Sequence, residues 1–590
     1  MSQGAAKPMF GYKGRVLHID LCRGRFEVET PHPRAYENFI GGKGLAGYYL
    51  RPHIQREWDD PDLPVCLFTG PLVGTIAPTS GRATLMSRSP LTGTICDSSV
   101  GGSLGLNLKR AGYDGLVLWG RAEHLTGVEI NGAEIRFTDA RPLRGMDAAG
   151  LADKLKGQGA VMAVGPAAEN GVLFASVMVD KHHAAGRGGL GLCLAAKNLK
   201  YLCAAGNEKT GVRDRARLMA AREEILRLCA ASPVLMGRHG FSCAGTGALY
   251  DLMDSRGMAP TDNFQRTRFE SASSLNAHAY QEKYSPKKHG CKGCHILCKK
   301  VSQGRAMPEF ETMSHFTGLV GNTDLEMVVA ANDLCNRMGM DTISAASTLA
   351  CHREIQGRDL SPDQIIELLT DTALGRGLGK ELGQGSLRYA RSKGREECSM
   401  SVKGLELPAY DPRGAFGMAL GYAVSTRGGC HLRGYPISHE ILRKPVATDR
   451  FSFSGKARMI KIAEDLNSVV DSLTGCKFIF LAASLEEYAK AFSAVTGREM
   501  AAQDLLLCGE RIYYQERIMN CLNGFDAAQD DLPARFFEEP GRSGDKVETP
   551  PLVRKDFLEA RSRYYKVRGL DQDARPLAEQ AQRLGLEWNG

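Results

Sequence analysis

The feature of the sequence that most constrains its fold is a change in the spacing of apolar residues near residue 206. Before that point, short β-branched or apolar runs such as GRVLHIDL, PVCLFTGPLVG, DGLVLWGR and AVMAVGPA are separated by glycine-rich turns, which predicts strands. After it, longer segments such as RARLMAAREEILRLCAAS and KARMIKIAEDLNSVVDSLTG repeat apolar residues every three or four positions, which predicts helices. The pattern therefore predicts an α+β fold.

The chain has 590 residues, more than one hydrophobic core normally serves, so several domains are expected. The polar segment AAGNEKTGVRD carries two glycines and indicates a first boundary. A second division falls near residue 400. We therefore predict a β-rich N-terminal domain at 1–208, followed by two mainly α-helical domains at 209–400 and 401–590.

Composition and charge exclude several classes of protein. Hydrophobic residues make up 43% and charged residues 24%, which is typical of a globular chain rather than a disordered or fibrous one. The net charge is +8, but the chain has no long run of lysine and arginine, so a nucleic-acid partner is not expected. The small excess of positive charge fits either a solvated surface or an acidic protein partner. The sequence has no secretory leader and no apolar run of membrane-spanning length, which predicts a cytoplasmic protein without a membrane span.

Seventeen cysteines are scattered through the chain, which favours free thiols over a disulfide scaffold. Three of them, Cys291, Cys294 and Cys298, form a C-x2-C-x3-C cluster in the segment HGCKGCHILCKK. Thiolates this close can converge on one metal centre, with a fourth ligand from a distant segment. A zinc knuckle normally adds another nearby pair of ligands, and radical S-adenosylmethionine enzymes have the two gaps in the opposite order. The spacing leaves an iron–sulfur cluster, a zinc site and unligated thiols open.

Further segments resemble the aldehyde ferredoxin oxidoreductase family, and they occur in that family's order. They are GRVLHIDL, APTSGRATLMSRSPLTG, VGGSLGLNLKRAGYDGLVLWG, VGPAAENGVLFASVM, AAGRGGLGLCLAAKNLK, PEFE, GMDTIS, LELPAYDPRGAFGMALGYAVSTRGGCH and RYYKVRG. The resemblance implies an enzyme whose β-rich N-terminal domain binds a cofactor and is followed by two helical domains. It also implies one [4Fe–4S] cluster bound by Cys291, Cys294, Cys298 and the distant Cys476 in DSLTGC. Without the resemblance, Cys476 would be read as a small buried hydrophobic residue.

The family's cofactor is tungsten, or molybdenum, held by the dithiolenes of two pterins whose phosphates are bridged by a magnesium ion. Phosphates need closely approaching backbone N–H groups, hence glycine, and nearby cations. Arg82 matches a position between pterin and cluster, and Ser99, Gly101 and Ala184 match positions around the bridging ion. Taken alone, the glycines would be turn formers and Arg82 a surface charge. The other matched pterin-binding positions are His183, Asn336, Asp341, Arg433, Asp471 and Gly475.

Three of these positions depart from the common family pattern. His183 stands where arginine is common, Asn336 where an aspartate begins a pterin-binding segment, and Arg433 where a lysine follows the GGCH motif. The Asn336 amide can still hydrogen-bond a pterin edge, and Arg433 keeps the positive charge with a different geometry. DSLTGC also carries its glycine one place later than usual, so we expect a different main-chain geometry before Cys476.

Glu311 in PEFE and His431 in GGCH match the residues that the family uses for catalysis. Oxidation of an aldehyde to an acid requires a proton acceptor near the metal and a donor that polarises the carbonyl. The resemblance assigns the first role to Glu311 and the second to His431, with Phe310 making the pocket wall apolar. Taken alone, Glu311 would be a solvated charge at a helix start and His431 a structural histidine.

The predicted function is therefore oxidation of a small-molecule aldehyde to a carboxylic acid, or the reverse. Electrons would pass through the single [4Fe–4S] cluster to a ferredoxin or to a ferredoxin-like iron–sulfur subunit. One alternative is a tungsten subunit of a larger complex that acts on an unusual substrate such as an aromatic thioester. A second is a cofactor-free, zinc-binding scaffold. The sequence leaves the oligomeric state and the choice between tungsten and molybdenum open.

Overall fold

A computed structural model describes residues 9–542 and 549–589 and confirms the predicted α+β class. Two six-stranded sheets form the N-terminal part of the molecule. The first sheet contains β1 Val16–Asp20, β2 Arg25–Glu29, β3 Val65–Phe68, β4 Ala83–Arg88, β5 Ile95–Val100 and β6 Gly115–Trp119. The second contains β7 Thr126–Asn131, β8 Glu134–Asp139, β9 Ala160–Val164, β10 Val177–Val179, β11 His183–Ala185 and β12 Leu199–Ala205.

Both sheets are mixed. The strand order is β2-β1-β6-β3-β4-β5 in the first sheet and β11-β10-β9-β12-β7-β8 in the second. One pair in each sheet is parallel, β1 with β6 and β12 with β7, and the other pairs are antiparallel. The edge strands β5 and β11 contact each other, so the two sheets meet at the strands that carry predicted site residues.

Six short helices accompany the sheets, and the rest of the described chain is mainly helical. The first six helices are α1 Pro33–Phe39, α2 Gly42–Leu50, α3 Leu104–Arg110, α4 Ala148–Lys154, α5 Pro166–Glu169 and α6 Leu190–Ala196. The helices from α7 to α15 are α7 Arg215–Ala231, α8 Pro233–Met236, α9 Phe241–Ala244, α10 Tyr250–Ser255, α11 Ala277–Tyr284, α12 Phe310–Ser314, α13 Leu325–Met338, α14 Thr342–Gln356 and α15 Pro362–Leu374.

The remaining elements include two small sheets. The last helices are α16 Gly377–Leu382, α17 Ser386–Ser392, α18 Phe416–Val424, α19 Ile437–Glu440, α20 Lys456–Leu473, α21 Leu485–Thr496, α22 Ala502–Leu522, α23 Arg535–Glu538, α24 Arg554–Arg568 and α25 Ala578–Arg583. A three-stranded sheet contains β13 Lys287–His289, β14 Lys299–Ser302 and β15 Arg305–Ala306, and a two-stranded sheet contains β16 Ser401–Val402 and β17 Leu405–Glu406.

The long helices begin where capping residues satisfy their first free N–H groups. Asp214 caps α7, Asp324 caps α13, and Ser361 forms a capping box with Gln364 at the start of α15. The carboxylate or hydroxyl oxygen accepts N–H bonds that no residue inside the helix can accept. These caps follow directly from the sequence, and the helices predicted after residue 206 are confirmed.

Close backbone contacts join the N-terminal sheets to the end of α20. A Cβ on Gly70 would lie 2.2 Å from the carbonyl oxygen of Leu473, so only glycine allows this approach. The Gly70 N–H donates to Thr474 Oγ1 at 2.9 Å, and the Arg82 N–H donates to the Thr474 carbonyl at 3.3 Å. The segment that leads to Cys476 is therefore fixed against β4 and the loop after β3.

A continuous apolar core extends from the sheets into the helical part. β12 ends at Ala205 and α7 begins at Arg215, whereas the division of the chain at 208 and 400 stays a prediction. Within the described ranges, no helix is long and apolar enough to cross a membrane.

Candidate active site

A cavity of about 370 Å³ lies between the two large sheets, the cysteine loop and the helical part. Its wall contains every residue to which the sequence assigned a role in cluster binding, cofactor binding or catalysis. These residues are Arg82, Ser99, Gly101, His183, Ala184, Cys291, Cys294, Cys298, Glu311, Asn336, Asp341, His431, Arg433, Asp471, Gly475 and Cys476.

The four candidate cluster cysteines reach this cavity from two segments. Cys291, Cys294 and Cys298 lie in the loop between β13 and β14, and Cys476 follows α20, where its N–H donates to the Thr79 carbonyl at 3.0 Å. All four are free, half-buried thiols. Burial raises the pKa of Cys476 to about 11, and the positive charge of Arg82 opposes that effect. The Cys476 thiol therefore requires a bound cation before it ionises at neutral pH.

Arg82, directly before β4, lies between the cysteines and the strand β5. Its Nε donates to Ser99 Oγ at 2.8 Å and its Nη2 to the Ser99 carbonyl at 2.7 Å. Its Nη1 lies 3.8 Å from Cys291 Sγ. Burial lowers the pKa of Arg82, but interaction with the thiolate forms of Cys291 and Cys476 raises it above its ordinary value. Gly101 allows this crowding, because a Cβ there would lie 2.3 Å from Cys291 Sγ.

His183 and Ala184 form the neighbouring wall on β11. Ala184 is exposed to the cavity, whereas the His183 ring is buried and neither of its nitrogens has a hydrogen-bond partner among the described residues. Burial lowers the pKa of His183 to about 2, with the charges of Lys299 and Arg82 adding to the effect. The neutral ring presents one donor and one acceptor to a ligand that would lie beside Gly101.

Asn336 and Asp341 approach from the helical part. Asn336 lies on α13 and faces the cavity. Asp341 is the N-cap of α14 and accepts the hydroxyl of Ser344 at 2.8 Å, while the Arg187 Nε donates to it at 3.3 Å. The Asp341 carboxylate thus has a structural role in capping the helix and also presents a negative charge to the cavity.

Asp471 and Gly475 lie on the segment before Cys476. Lys477 Nζ donates to one Asp471 oxygen at 2.6 Å, and the other oxygen, Oδ1, is buried without a partner in the described chain. Thr474 adopts the left-handed conformation with φ 54°, where glycine usually ends a helix. The φ angle of Gly475 is not positive. The left-handed turn at the end of α20 is therefore made by Thr474 and not by the glycine that follows it.

Arg433 belongs to a buried charge network that begins at the cavity wall. Its guanidinium pairs with Asp97 on β5, and its Nε lies 3.6 Å from Glu516 Oε2 on α22. Lys43 Nζ contacts Glu516 Oε1 at 2.6 Å. Burial alone would raise the pKa of Asp97, but Arg433 and Lys43 hold it below its usual range. The network fixes the Arg433 side chain from a sheet and a helix that are distant in sequence.

Glu311 and His431 are the two residues with candidate catalytic roles, and they face each other. Glu311 Oε1 lies 3.5 Å from His431 Nε2, and Glu311 Oε2 accepts the Ala409 N–H at 2.8 Å. Burial raises the pKa of Glu311 to about 8 and lowers the pKa of His431 well below its ordinary value. Near neutral pH, the pair therefore holds an uncharged imidazole and a carboxyl group that gains or loses a proton easily.

The helix that carries Glu311 contains an irregular turn. α12 continues into a π-helical segment at His315–Leu319. His315 Nδ1 lies 2.7 Å from the Glu311 carbonyl, and its Nε2 lies 3.2 Å from the Leu407 carbonyl. A π turn of this kind is common at functional sites, and here it holds the helix start in which Glu311 lies.

Aromatic side chains surround the Glu311–His431 pair. The Tyr410 ring lies 5.2 Å from Phe310 and 5.6 Å from His431, measured between ring centroids, and the Tyr435 ring lies 6.1 Å from His431. Tyr410 and Tyr435 also bring their hydroxyls to within 3.4 Å of each other. A substrate carbonyl at the pair would therefore contact a mainly apolar wall with two hydroxyl groups.

Several side chains of the cavity fit a large polar ligand. The buried atoms without a hydrogen-bond partner in the described residues include both His183 nitrogens, Glu311 Oε1, His431 Nδ1 and Asp471 Oδ1. Buried polar atoms are rarely left unsatisfied, so their concentration in one cavity indicates a ligand that completes their hydrogen bonds. The cationic side chains of Arg82, Lys299 and Lys477 line the same cavity and fit anionic groups.

Among the residues of this wall that sequence reasoning missed are Asp97, Arg187, Tyr410, Tyr435 and Lys477. Arg187 lies within the quoted motif AAGRGGLG, and Tyr410 lies within LELPAYDPRG, so both could have been selected. Lys477 directly follows Cys476. Tyr435 follows the GGCH motif by four residues, whereas Asp97 gives no comparable signal, because its partner Arg433 lies in a distant segment.

Comparison with known proteins identifies the family. The family model "Aldehyde ferredoxin oxidoreductase, N-terminal domain" matches residues 16–206. The family model "Aldehyde ferredoxin oxidoreductase, domains 2 & 3" matches residues 220–586. The chain belongs to the aldehyde ferredoxin oxidoreductase family. It is similar to the tungsten-containing aldehyde ferredoxin oxidoreductase of Pyrococcus furiosus, at 35% identity over 98% of this chain and 99% of that protein. The corresponding protein of Thermococcus kodakarensis is 34% identical over the same shares.

Family membership makes the protein an oxidoreductase and implies a tungsten–pterin cofactor. A more distant relative is the aliphatic sulfonate oxidoreductase, WOR-like subunit, of Pyrococcus furiosus, at 26% identity over 98% of this chain and 97% of that protein. The fold is similar to that of the active site complex BamBC of benzoyl coenzyme A reductase in complex with 1,5 dienoyl-CoA. That structure has a TM-score of 0.84 at 20% identity and covers 98% of each chain.

Proposed function

We propose that this family member oxidises an aldehyde to a carboxylic acid, or catalyses the reverse reaction, at a tungsten- or molybdenum-bis-pterin centre. Electrons leave through one [4Fe–4S] cluster to a ferredoxin or a ferredoxin-like iron–sulfur subunit. The observation that carries the proposal is the placement of the Glu311–His431 pair and four thiols in the wall of one cavity. The named relatives favour tungsten over molybdenum.

Cys291, Cys294, Cys298 and Cys476 are the proposed cluster ligands. A structural zinc ion needs four ligands at roughly 2.0–2.3 Å, which requires side chains that converge on a point. In the described part of the chain, no three His, Cys, Asp or Glu side chains converge closely enough to hold a single ion. A [4Fe–4S] cluster instead takes one thiolate at each iron, and the positive charge of Arg82 nearby stabilises that anionic assembly.

The proposed pterin site extends from the cysteines to the Glu311–His431 pair. Ser99, Gly101 and Ala184 would hold the magnesium ion and the pterin phosphates, and His183 would donate to a phosphate oxygen. Arg82 would lie between pterin and cluster. The residues proposed to contact the pterins from the helical part are Asn336, Asp341, Arg433, Asp471 and Gly475.

The two catalytic candidates divide the work of the reaction. When bound, the metal centre supplies the acceptor for the two electrons. Glu311 in its ionised form accepts a proton from water that adds to the substrate carbonyl, and burial makes it a stronger base than an exposed carboxylate. His431 stays neutral and donates a hydrogen bond from Nε2 to the carbonyl oxygen, where negative charge develops. Phe310 and Tyr410 form an apolar wall on the substrate side of the pair.

A second candidate function is that of a tungsten subunit in a larger complex that acts on an aromatic thioester or another unusual substrate. The observation that favours it is the likeness in fold to the benzoyl coenzyme A reductase complex. The higher sequence identity to the aldehyde ferredoxin oxidoreductases favours the first candidate.

The test is anaerobic purification, followed by elemental mass spectrometry and an aldehyde-dependent viologen reduction assay. About four irons and one tungsten or molybdenum per chain, together with viologen reduction, would support the proposal. The Cys476→Ser variant should lose iron, whereas the control Cys521→Ser, outside the cavity, should keep it. Iron and heavy metal without activity on aldehydes would favour the second candidate. Zinc as the only metal would contradict both and leave a scaffold.

A further inference from the structure

The segment that carries three of the thiols is unusually basic. Residues 284–308 contain five lysines and one arginine and no aspartate or glutamate. The whole chain has a net charge of +8, so most of its excess positive charge lies in this one segment. A concentration of this kind creates a local positive potential, although the protein as a whole is only weakly basic.

The structure divides these cations into two groups. Lys299 pairs with Glu309 at 3.1 Å, and Lys300 is buried and donates to the carbonyl of Leu297 at 3.1 Å, so both have structural roles. The other four, Lys287, Lys288, Lys292 and Arg305, are exposed. None of the four makes a salt bridge with a carboxylate of residues 9–542 or 549–589. We call these four residues the basic patch.

The basic patch covers the cysteine loop. Lys287 and Lys288 lie on β13, which is paired with β14. At the end of β13, the backbone of His289 forms a single β-bridge with that of Cys298. Lys292 is exposed between Cys291 and Cys294. Arg305 lies on β15, on the other side of β14. The thiols therefore lie directly beneath an exposed, positively charged surface.

We propose that the basic patch is the docking surface for an acidic, one-electron iron–sulfur carrier protein. This inference rests on the proposed function, because it assumes that electrons reach a cluster held by the four thiols. Unpaired surface cations attract an acidic partner over a distance of about 10 Å at 0.1 M salt and orient it during encounter. A partner on this surface would meet the chain at Lys292, which is exposed in the loop between Cys291 and Cys294.

The electron balance requires two encounters per turnover. An aldehyde and water give a carboxylic acid, two protons and two electrons. Each oxidised carrier accepts one electron, so two carrier molecules bind and leave for each aldehyde oxidised. Electrostatic attraction by the basic patch would accelerate the association of each oxidised carrier. It would still let the reduced carrier dissociate, as two encounters per turnover require.

The test is a charge-reversal variant, Lys287→Glu with Arg305→Glu. Lys288 is left unchanged because its Nζ donates to the buried Ser242 at 3.2 Å, and Lys292 because it lies between two cluster cysteines. The matched control is Arg34→Glu with Lys555→Glu. Both control residues are exposed, and both lie in the first turn of a helix, where glutamate is tolerated.

The probe is a strongly acidic bacterial ferredoxin, compared with a small viologen dye as acceptor. At low ionic strength, we expect kcat/KM for the ferredoxin to fall on the order of tenfold in the patch variant and to stay unchanged in the control. Viologen reduction should be the same in all three proteins. The salt dependence of the ferredoxin reaction should become weaker in the patch variant only.

Three results would overturn the proposal. The first is an equal kcat/KM for ferredoxin in the wild type and the patch variant. The second is a fall in this kcat/KM that is as large in the control variant as in the patch variant. The third is tighter binding of an RNA oligonucleotide than of ferredoxin to the patch. If the wild type does not reduce viologen with any aldehyde, the proposed function fails instead. Ferredoxin binding, measured by calorimetry on the same proteins, then still tests the docking surface, because it needs no turnover.

Discussion

Replacement of Glu311 by glutamine tests the chemistry of the candidate active site most directly. Glutamine keeps the size of the side chain and an acceptor for the Ala409 N–H, which lies 2.8 Å from Oε2. It cannot accept a proton. A positioned general base contributes roughly 10²- to 10⁴-fold to a rate, so kcat/KM should fall by about that factor. The amount of iron and tungsten bound should not change, because Glu311 is not a proposed ligand.

The pH dependence of the wild type follows from the raised pKa. With a pKa of about 8, only about one Glu311 in ten is ionised at pH 7. The base form accumulates as the pH rises, so kcat/KM should increase about tenfold between pH 7 and a plateau above pH 9. Because the folded-state pKa is raised, the protonated form of Glu311 stabilises the fold, and this contribution is lost as the pH rises through 8.

The assay is aldehyde-dependent viologen reduction from pH 5.5 to 9.5, with metal content measured on each sample. The control is Glu309→Gln, which removes the other carboxylate of the same PEFE motif; its side chain is partly exposed and pairs with Lys299. We expect the control to retain the pH profile of the wild type. The reasoning is refuted if Glu311→Gln keeps wild-type activity, or if the wild-type profile has no inflection between pH 7 and 9.

Three further predictions concern geometry, catalysis and stability. Gly101→Ala should lower the iron content, because the added methyl group would lie 2.3 Å from Cys291 Sγ; iron analysis and visible absorbance measure this loss. His431→Asn should reduce kcat by roughly 10²- to 10³-fold with a smaller change in KM, since it weakens a bond made mainly in the transition state; unchanged kcat would contradict the role. Lys43→Met should destabilise the fold by about 3 kcal/mol, because it removes one of the two cations beside the buried Glu516 and leaves only Arg433; a melting temperature equal to that of the wild type would disprove this.

The sequence was sufficient for those features that depend on neighbouring residues. The spacing of apolar residues separated the strands before residue 206 from the helices after it, and capping residues such as Asp214 and Ser361 marked helix starts. The C-x2-C-x3-C spacing selected a candidate metal-binding loop. The family resemblance, now confirmed by the matches over residues 16–206 and 220–586, supplied the fold and the class of enzyme.

The sequence was less informative about the environment of each side chain. It could identify Glu311 and His431 as candidates, but their shifted pKa values depend on burial by segments such as the one that contains Ala409. It also gave no sign that Asp97 pairs with Arg433, since β5 and the loop after α18 are far apart in the chain. The spacing of apolar residues shows which face of a helix or strand is buried. It does not show which other segments of the chain pack against that face.

The sequence by itself thus determined the order of strands and helices, the thiol-bearing loop and a set of candidate residues. The tertiary structure brought the four cysteines to the wall of one cavity and placed the Arg82 guanidinium against Ser99 and Cys291. It also left polar atoms of His183 and Asp471 in that cavity without a partner among the described residues. The physical reason is the range of the interactions. Local periodicity, capping and spacing are fixed by residues a few positions apart, whereas desolvation and charge pairing depend on which distant segments meet.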